Sequence, residues 1–566
     1  MTRQVKVAVV GSGLAGLTAT YLLNRPVSQD SDVEFEVHLF EKAPMLGMDS
    51  SSVSLPASES EAVEDAWRVD VPMRSFQGGY YPQLMALYTR LGVAFREANF
   101  TYSFSLLSPP SSTRKRQINA TMIYNGSSGC AGLSMPSILD EPYYLSKGKG
   151  LLKRAFTRVW TVGLFVLLTL YIAVCYVRML HYSLPFWRPK IVHKMTFEEW
   201  AKWTVPTNKI SRWIGVDLAW KDYTQSVLLP LFSAVCTAPE EDVLRHPVEE
   251  FLDYIWLTLG THHYVVIHGV REVVARLTAN AQNIHLASTI TSISPDPNDI
   301  NRSTIKCDTP EGPRVHNGFH HIIFATQATR AVPLLKSYRD ALPRTSSKRE
   351  AVDAQLQCLE KFKYCSTIVI NHTDPTLLPD NPRDQRDLNL ICLDQDAVTE
   401  QEKSIFDWSA MTVPPSYTMA THVLRRPEGY PTHLPRVFQT TNPLISPEEG
   451  SILSIARLER AVLSMESKEA LKGLYQEEGR KWWQCASQGS ARLGKLQGAG
   501  RLANVQGSGI WICGSYVYAG IPLLEGCVVS ARSVVEQGVC LAEGVSLQHP
   551  MNLKTSRPRN RAHLVY

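Results

Sequence analysis

Apolar runs near both ends of the chain predict buried strands that each lead into a helix. Residues 5–10 are almost wholly apolar, as expected of a strand inside a parallel sheet, and residues 17–23 continue with good helix formers. A second apolar strand is predicted at residues 36–40. Towards the other end, residues 509–513 predict a strand and residues 525–536 a helix. This alternation of strands and helices indicates an α/β fold.

Between these units the apolar pattern predicts further strands and one helical region. Residues 284–286 and 289–293 are predicted to form a strand pair. Residues 356–371 are predicted to form a strand, and residues 417–442 are predicted to form further strands. Residues 195–223 are predicted to be helical, and their tryptophans and tyrosines could line a pocket or fill a core.

A glycine-rich turn joins the first predicted strand to its helix. Gly11 permits a tight turn, Gly13 lets a pyrophosphate approach the backbone, and Gly16 allows close packing of helix and strand. Glu41, at the end of the second strand, is placed to accept both hydroxyls of a ribose, and an acidic residue there argues against a 2′-phosphate. The turn therefore predicts a dinucleotide site, and its alternative is a glycine turn in an ordinary α/β domain.

A second glycine-containing turn follows the last predicted strand. Gly514 ends that strand, and the helix after it would point its free N–H groups, with a partial positive charge of about half a unit, at whatever lies beyond the strand end. Such a charge would stabilise a reduced, anionic flavin ring. Together the two turns predict a dinucleotide site that is built from both ends of one chain, which is how flavin enzymes hold FAD.

With these motifs the chain resembles the flavin-containing amine oxidase and phytoene desaturase superfamily, in particular its fungal and bacterial NAD(P)/FAD-binding branch, over residues 5–538. The segments 41–47, 69–84, 269–274, 320–326 and 524–530 carry the resemblance besides the first turn. Met48 and Pro72 depart from glycines that are common in the family. The cofactor-binding residues that the resemblance implies are Gly11, Ser12, Gly13, Ala15, Gly16, Glu41, Lys42, Gly47, Ile290, Gly514, Leu524, Glu525, Gly526 and Val528.

Several of these roles have a plain structural alternative. The backbone of Ile290 would hold the adenine, or its segment is simply a buried strand. Near the flavin ring the resemblance suggests Arg74, Tyr516 and Tyr518, each of which could equally be structural. A histidine pair at residues 262–263 could relay protons or form polar packing. No catalytic residue is assigned.

The resemblance implies an FAD-dependent oxidoreductase that removes a hydride or two electrons from a small or lipid-like organic substrate, in specialised metabolism. Amine oxidation, desaturation and double-bond isomerisation all stay open. The alternative on the same fold is a non-catalytic prenyl- or lipid-binding protein of the Rab escort and GDP-dissociation inhibitor type. A further possibility is a flavoprotein whose flavin is structural.

The longest apolar run lies in the middle of the chain. Residues 159–177 carry no charge and are long enough to cross the roughly 30 Å core of a bilayer. Basic residues flank both sides, so the positive-inside rule gives no orientation. A single crossing would separate the two glycine turns, so the run enters one leaflet, lies along the membrane surface, or is a buried helix. Its terminal aromatic residues favour a surface anchor, which predicts a membrane-associated protein with its catalytic domain in the cytoplasm.

Length and placement of the motifs predict two interleaved domains, a Rossmann-like FAD-binding domain built from both chain ends and an α+β substrate domain carrying the hydrophobic helix. The FAD-binding domain is expected at residues 1–105, 246–335 and 491–545, the substrate domain at 106–245 and 336–490, and a flexible tail at 546–566.

Composition narrows the partners. The net charge of +5 is spread out and no nucleic-acid-binding motif is present, so a nucleic acid partner is not expected. The 11 cysteines contain no C-x-x-C pair, which argues against disulfides and structural zinc, and we predict no metal site. Cys485 lacks the flanking glycines of a covalent flavin attachment, so FAD is expected to bind non-covalently. The chain starts without a secretion signal, and oligomeric state stays open.

Overall fold

The computed structural model describes residues 2–27, 32–55, 66–110, 115–145, 151–394 and 411–548. At its centre lies a parallel sheet of five strands. In spatial order these are Asn283–His285, Val33–Phe40, Arg3–Val10, His321–Phe324 and Gly509–Ile512.

Both ends of the chain meet in this parallel sheet. The middle strand begins at Arg3, and the strand at one edge ends at Ile512. Val5, Val7 and Val9 are fully buried, which is why a run with little polar alternation suits this position. The predicted Rossmann-like α/β sheet assembled from both ends is confirmed.

The other strands form five antiparallel or mixed sheets. The largest has eight strands, in the order Ile452–Val462, Lys363–His372, Phe438–Thr441, Met419–Val423, Leu388–Leu393, Tyr102–Ser108, Gln117–Tyr124 and Leu133–Ser134. Two three-stranded sheets consist of Ser75–Gln77, His263–Val266, Phe95–Glu97 and of Thr289–Pro295, Ser303–Thr309, Gly312–Phe319. Two hairpin-like pairs are Val53–Leu55 with Trp67–Val69 and Tyr475–Glu478 with Ser490–Leu493.

Helices pack on the sheets and form most of the described chain between residues 137 and 278. The α-helices are Leu14–Leu23, Pro82–Leu91, Ser137–Leu145, Leu151–Ser183, Phe197–Trp203, Lys209–Trp213, Val216–Tyr223, Leu229–Cys236, Glu240–Arg245, Val248–Thr258, Gly269–Thr278, Ala328–Ala341, Ser347–Leu359, Met465–Leu471, Leu524–Ser533 and Cys540–Ala542. Two π-helical turns are Thr224–Leu228 and Val534–Val539. The 3-10 turns are Ser127–Gly129, Lys190–Lys194, Pro375–Leu377, Pro382–Asp384, Glu449–Ser451, Ala486–Gln488 and Gln497–Ala503.

The central apolar run forms a single helix, Leu151–Ser183, which we call the long helix. By length and composition, residues Leu152–Ser183 could cross a membrane, and they are the one such helix among the described residues. Only 11% of its most apolar window is buried, because one face packs through Cys175 and Met179 while large apolar side chains elsewhere point outward. The long helix is therefore not a fully buried core helix.

Strand pairing excludes a single membrane crossing by the long helix. Tyr102–Ser108 precedes that helix in the chain and Leu388–Leu393 follows it, yet the two strands are hydrogen-bonded neighbours in the eight-stranded sheet. A crossing between them would put paired strands on opposite sides of a bilayer. The same holds for Arg3–Val10 and Gly509–Ile512, which share the parallel sheet.

Several predicted elements differ from the observed ones. Residues 284–286 and 289–293 do not pair; Asn283–His285 joins the parallel sheet and Thr289–Pro295 a separate sheet, because the chain turns at Ala287, whose φ is +49°. The first part of the strand expected at 356–371 is the end of the helix Ser347–Leu359, whose buried Val352 and Leu356 have helical spacing.

The aromatic region 195–223 forms three short helices rather than one, since Thr196 and Asn208 each cap a new helix. Trp200 and Trp220 are fully buried and fill a core, as one of the two interpretations expected, whereas Trp213 is exposed. Residues 417–442 contain the predicted strands, Met419–Val423 and Phe438–Thr441. The predicted domain limits at 105 and 335 fall inside a strand and a helix, and the expected tail at 546–566 lies largely outside the described residues.

Candidate functional site

The first glycine turn combines two crowded positions with one open one. A Cβ on Gly16 would lie 1.9 Å from the Gly11 carbonyl oxygen, and one on Gly11, whose φ is +98°, would lie 2.9 Å from Thr326 Cγ2. At Gly13 a Cβ would meet nothing within 4 Å. Open space therefore lies in front of the helix Leu14–Leu23, whose N-terminus favours an anion.

Glu41 is held in place by the turn itself. Its Oε2 accepts hydrogen bonds from the Ser12 backbone N–H (3.0 Å) and from Ser12 Oγ (2.5 Å), and its Oε1 accepts from Ala43 N (2.9 Å). Gly47 N donates to Ser12 Oγ at 2.7 Å. A carboxylate offers about four acceptor sites, so this one retains room for one ribose hydroxyl unless Ser12 releases it. The sequence predicted two such hydroxyl contacts.

The segment predicted to hold an adenine lies beside Glu41. Ser288 N donates to the Glu41 carbonyl at 2.8 Å, and Ala287 N donates to the Ala43 carbonyl at 2.9 Å. Two residues further on, Ile290 lies in the outer strand of its three-stranded sheet. Lys42 is exposed. The structure thus brings Ile290 near Glu41, on a strand that has one edge without a strand partner in its sheet.

The second glycine turn closes the same edge of the parallel sheet. Gly514 N donates to Ser530 Oγ (2.9 Å), and that hydroxyl donates to the Gly526 carbonyl (2.7 Å). A Cβ on Gly526 would lie 2.6 Å from the Ser515 carbonyl oxygen. Since the carboxyl ends of neighbouring parallel strands share one edge, both turns face one crevice, the usual ligand position in open α/β sheets. The buried hydroxyl of Thr326 has no hydrogen-bond partner among the described residues.

Glu525 has a role that the sequence did not reveal. Its buried carboxylate accepts from Gln83 N (2.9 Å) and Leu84 N (3.0 Å), so it caps the helix Pro82–Leu91. Burial raises the pKa of Glu525 to about 8, although these two N–H groups act in the opposite direction. A cofactor contact from this residue would come from its backbone. Leu524 begins the closing helix, and Val528 is fully buried within it.

Two arginines approach the start of this closing helix. Burial lowers the pKa of Arg74, whose buried Nε has no hydrogen-bond partner within the part of the chain that the structure describes. Burial and then the charge of Arg74 lower the pKa of Arg460. Both guanidinium groups act on the Cys527 thiol, which lies against the backbone N–H groups of Ala15 and Ser515. Two buried cations thus converge where the helix N-termini also favour negative charge.

The sequence identified Arg74 only by resemblance and missed Arg460. A signal was present, because residues alternate between inner and outer positions along the strand Ile452–Val462. That alternation places Arg460 on the inner side with Leu458. A charged residue at an inner position of such a strand is a functional candidate.

A large apolar cavity, of about 490 Å³, lies between the long helix and the sheets. Most of its wall is apolar and aromatic, and Gln77 and His263 are polar exceptions. Burial lowers the pKa of His263 to about 4, so its imidazole is neutral at pH 7, and the buried Gln77 Oε1 has no hydrogen-bond partner among the described residues. The long helix contributes Thr169, Ile172, Ala173, Tyr176 and Met179 to the wall.

Two connections lead from this apolar cavity towards the glycine turns. Tyr254 lines the cavity and lies 4.9 Å, ring to ring, from Tyr80, whose hydroxyl accepts from Ile521 N at 2.9 Å. A smaller cavity of about 140 Å³ shares Asn99 and Phe100 with the large one and includes Arg74 in its wall. The apolar cavity therefore adjoins a smaller cavity that has Arg74 in its wall.

The remaining candidates have mainly structural contacts. Tyr516 is buried and donates to the Thr326 carbonyl at 3.3 Å, and burial raises the pKa of Tyr518 well above its usual range. His262 is exposed and lies 3.1 Å from Asn99 Oδ1, while only its neighbour lines the cavity. Cys485 is buried beside the Arg188–Asp253 ion pair.

Comparisons with known proteins agree with the nucleotide-binding half of the fold. Residues 9–91 match the family of NAD(P)-binding Rossmann-like domains. No curated protein matches the chain at a significant level.

Solved structures with a similar overall course include a putrescine oxidase variant, with 12% identity, a TM-score of 0.47 and coverage of 95% of this chain and 100% of that one. Cyclohexylamine oxidase from Brevibacterium oxydans has 11% identity and a TM-score of 0.46, and the match covers 96% of this chain and 99% of that one. Rab GDI from Plasmodium falciparum has 11% identity and a TM-score of 0.40, and the match covers 81% of this chain and 90% of that one. Likenesses at these identities and TM-scores do not indicate a substrate or a reaction for this chain.

Proposed function

We propose that the protein is an FAD-dependent oxidoreductase that binds its flavin non-covalently and oxidises an apolar, lipid-like substrate. The observation that carries the proposal is the convergence of two glycine turns, from opposite chain ends, on one edge of a parallel sheet. When bound, FAD accepts a hydride from the substrate.

The residues of the crevice fit this cofactor. The open space at Gly13 suits a pyrophosphate, which the free N–H groups of the following helix would hold. Glu41 would accept a ribose hydroxyl, and the backbone at Ile290 would hold the adenine. Arg74 and Arg460 supply buried positive charge for a group that is negatively charged or becomes so on reduction.

Arg460 gives a direct test of this electrostatic role. Replacing Arg460 with Met keeps its length and removes its charge, so the two-electron reduction potential of the bound flavin should fall. Exposed Arg457, three residues away on the outer side of the same strand, is the matched control. Equal potentials in the Arg460→Met and Arg457→Met variants would remove the assigned role.

The substrate class follows from the large cavity. A space of about 490 Å³ with a mostly apolar wall suits a long or bulky apolar molecule better than a small charged amine. The substrate would lie along the long helix and present its reacting carbon towards the arginine side of the crevice. No catalytic acid or base is assigned, and the neutral His263 and Oε1 of Gln77 are polar groups that could orient the substrate.

The long helix would attach the protein to one face of a membrane. Its outward side exposes large apolar residues, and exposed aromatic residues lie on neighbouring segments. The basic Lys209 and Arg212 on a nearby short helix suit anionic headgroups. Since strand pairing excludes one crossing, the helix would lie within the interface with its domain on one side, which we place in the cytoplasm.

The same proposal divides the chain into two interleaved domains. The parallel sheet and its helices would be the FAD-binding domain. The eight-stranded sheet and the long helix would be the substrate domain. The division would begin before Tyr102, since that strand pairs within the eight-stranded sheet.

The first experiment is an absorption spectrum of the protein purified in mild detergent, taken before and after denaturation. Flavin bands at one per chain that move into the supernatant on denaturation would support non-covalent FAD. Flavin that stays with the precipitated chain would contradict the non-covalent part alone. A colourless protein that cannot be reconstituted with FAD would overturn the oxidoreductase.

The alternative function is a lipid-binding protein of the escort type, and the apolar cavity is the observation that favours it. Such a protein would bind a prenyl or acyl chain in the cavity without bound flavin. Binding of a fluorescent prenyl probe to the colourless protein would establish this alternative. Reduction of bound flavin by an apolar substrate would exclude it.

A further inference from the structure

Three histidines from three different strands meet at one edge of the parallel sheet. His38 lies in Val33–Phe40, His285 in Asn283–His285 and His316 in the neighbouring antiparallel sheet. One ring nitrogen of each lies within 4.8 Å of the other two. His38 Nδ1 and His285 Nε2 are 2.9 Å apart, and the rings of His285 and His316 are 4.7 Å apart. They form the one such cluster found among the described residues.

A carboxylate fixes the proton of the innermost ring. Glu36 Oε1 lies 2.7 Å from His38 Nε2, so a neutral His38 carries its proton on Nε2 and donates it to Glu36. The lone pair of His38 Nδ1 then points towards His285. Metal-binding histidines are typically oriented in this way, with a carboxylate on the nitrogen that does not bind the metal.

Two cations near this position are each paired with a carboxylate. Lys6 lies 3.8 Å from Glu36, and Arg314 is ion-paired with Glu311. His285 and His316 are half-buried, so an ion from solvent can reach them.

We propose that His38, His285 and His316 bind one divalent transition metal ion of the zinc type, with water in the fourth position. Tetrahedral zinc with bonds of about 2.0–2.1 Å needs nitrogens about 3.4 Å apart. The observed separation of His38 Nδ1 and His285 Nε2 is 2.9 Å, and all three nitrogens lie within 4.8 Å of one another. The site lies next to the proposed adenine position, since the His285 carbonyl accepts from Glu41 N at 2.8 Å, and it would join the parallel sheet to the sheet that contains Ile290.

The position of His316 distinguishes this site from a hydrogen-bonded pair of histidines. A hydrogen bond between His38 and His285 accounts for the positions of two rings. It does not account for the position of the His316 nitrogen, which faces them. A metal ion, by contrast, accepts the oriented lone pair of His38 together with nitrogens from both other rings. No spacing signal reveals the site in the sequence, because the three histidines belong to segments that are far apart in the chain.

The test is metal binding by the full-length protein as purified, after dialysis against chelator and titration with Zn²⁺ by calorimetry. We expect one tight Zn²⁺ per chain, at least tenfold weaker binding in His316→Gln, and unchanged binding in His433→Gln, an exposed histidine elsewhere. Co²⁺ in place of Zn²⁺ should add the visible bands of a tetrahedral ion to the difference spectrum. The Glu36→Gln variant should bind Zn²⁺ about 10–100-fold more weakly, as loss of an orienting carboxylate does elsewhere.

Stability provides the second readout. Zn²⁺ should raise the melting temperature of the wild type and of His433→Gln but not of His316→Gln, since only a ligand bound to the folded state stabilises it. If His316→Gln fails to fold, Glu36→Gln and the wild-type Co²⁺ spectrum decide. Absence of a tetrahedral Co²⁺ spectrum, or equal Zn²⁺ affinity in wild type and variants, would overturn the site. Neither readout depends on flavin content.

Discussion

Gly13 offers the sharpest test of the cofactor crevice. Its φ of −67° and ψ of 176° are accessible to alanine, and a Cβ there meets no protein atom within 4 Å. Gly13→Ala should therefore change the unfolding free energy of the cofactor-free protein by about 1 kcal/mol at most, since alanine is only a poorer helix N-cap than glycine. The added methyl group would instead occupy the space assigned to the pyrophosphate.

Overpacking of a close-fitting site costs about 1–3 kcal/mol, which corresponds to roughly 5- to 150-fold weaker FAD binding. The assay is titration of cofactor-free protein with FAD, followed by flavin fluorescence, beside a thermal melt without FAD. Gly163→Ala is the control, because a Cβ there also meets nothing but lies on the long helix. Gly16→Ala should prevent folding, because its Cβ would lie 1.9 Å from a carbonyl oxygen. Wild-type FAD affinity in Gly13→Ala would refute the placement of the pyrophosphate.

Three further predictions concern stability and membrane binding. Burial raises the pKa of Glu525 in the folded state to about 8. Its contribution to the free energy of unfolding is therefore lost as pH rises from 4.5, its unfolded pKa, towards 8. Glu525→Gln should reduce the difference between the unfolding free energies that urea titrations give at pH 5 and pH 8. Hydrogen bonding to His321 and pairing with Arg3 hold the pKa of Glu543 at about 2. Its contribution to the free energy of unfolding is therefore present above pH 4.5 and lost towards pH 2. Glu543→Gln should lower the free energy of unfolding by about 3 kcal/mol at pH 7 and by little at pH 2.5. The double variant Leu167→Asp with Leu170→Asp, on the exposed side of the long helix, should abolish sedimentation with anionic liposomes and leave flavin content unchanged, and full sedimentation would contradict the surface anchor.

The parallel sheet was predictable because its signals are local. Glycines at fixed spacing after an apolar strand identify a turn within a few residues, and Gly11, Gly16 and Gly526 all occupy positions where a Cβ would clash. The position of Glu41 was likewise predictable, because it follows directly after an apolar strand. Its hydrogen bonds to Ser12, which reduce its capacity for ribose, depend on side-chain positions that spacing does not encode.

Features that depend on long-range contacts were not predictable. Glu525 belongs to a recognisable helix start, but its carboxylate caps a helix more than four hundred residues earlier in the chain. Arg460 becomes significant only when Arg74 is placed beside it. His38, His285 and His316 form a cluster only after three strands are assembled. No single-sequence pattern links residues at such separations.

The late position of the strand Gly509–Ile512 has a consequence for synthesis of the chain. The long helix ends at Ser183, so at about 5–20 residues per second it leaves the ribosome tens of seconds before the last strand of the parallel sheet exists. During that interval its apolar side is exposed while the crevice still lacks one wall. We therefore expect the nascent chain to reach a membrane or a chaperone first, and FAD to bind only as translation ends.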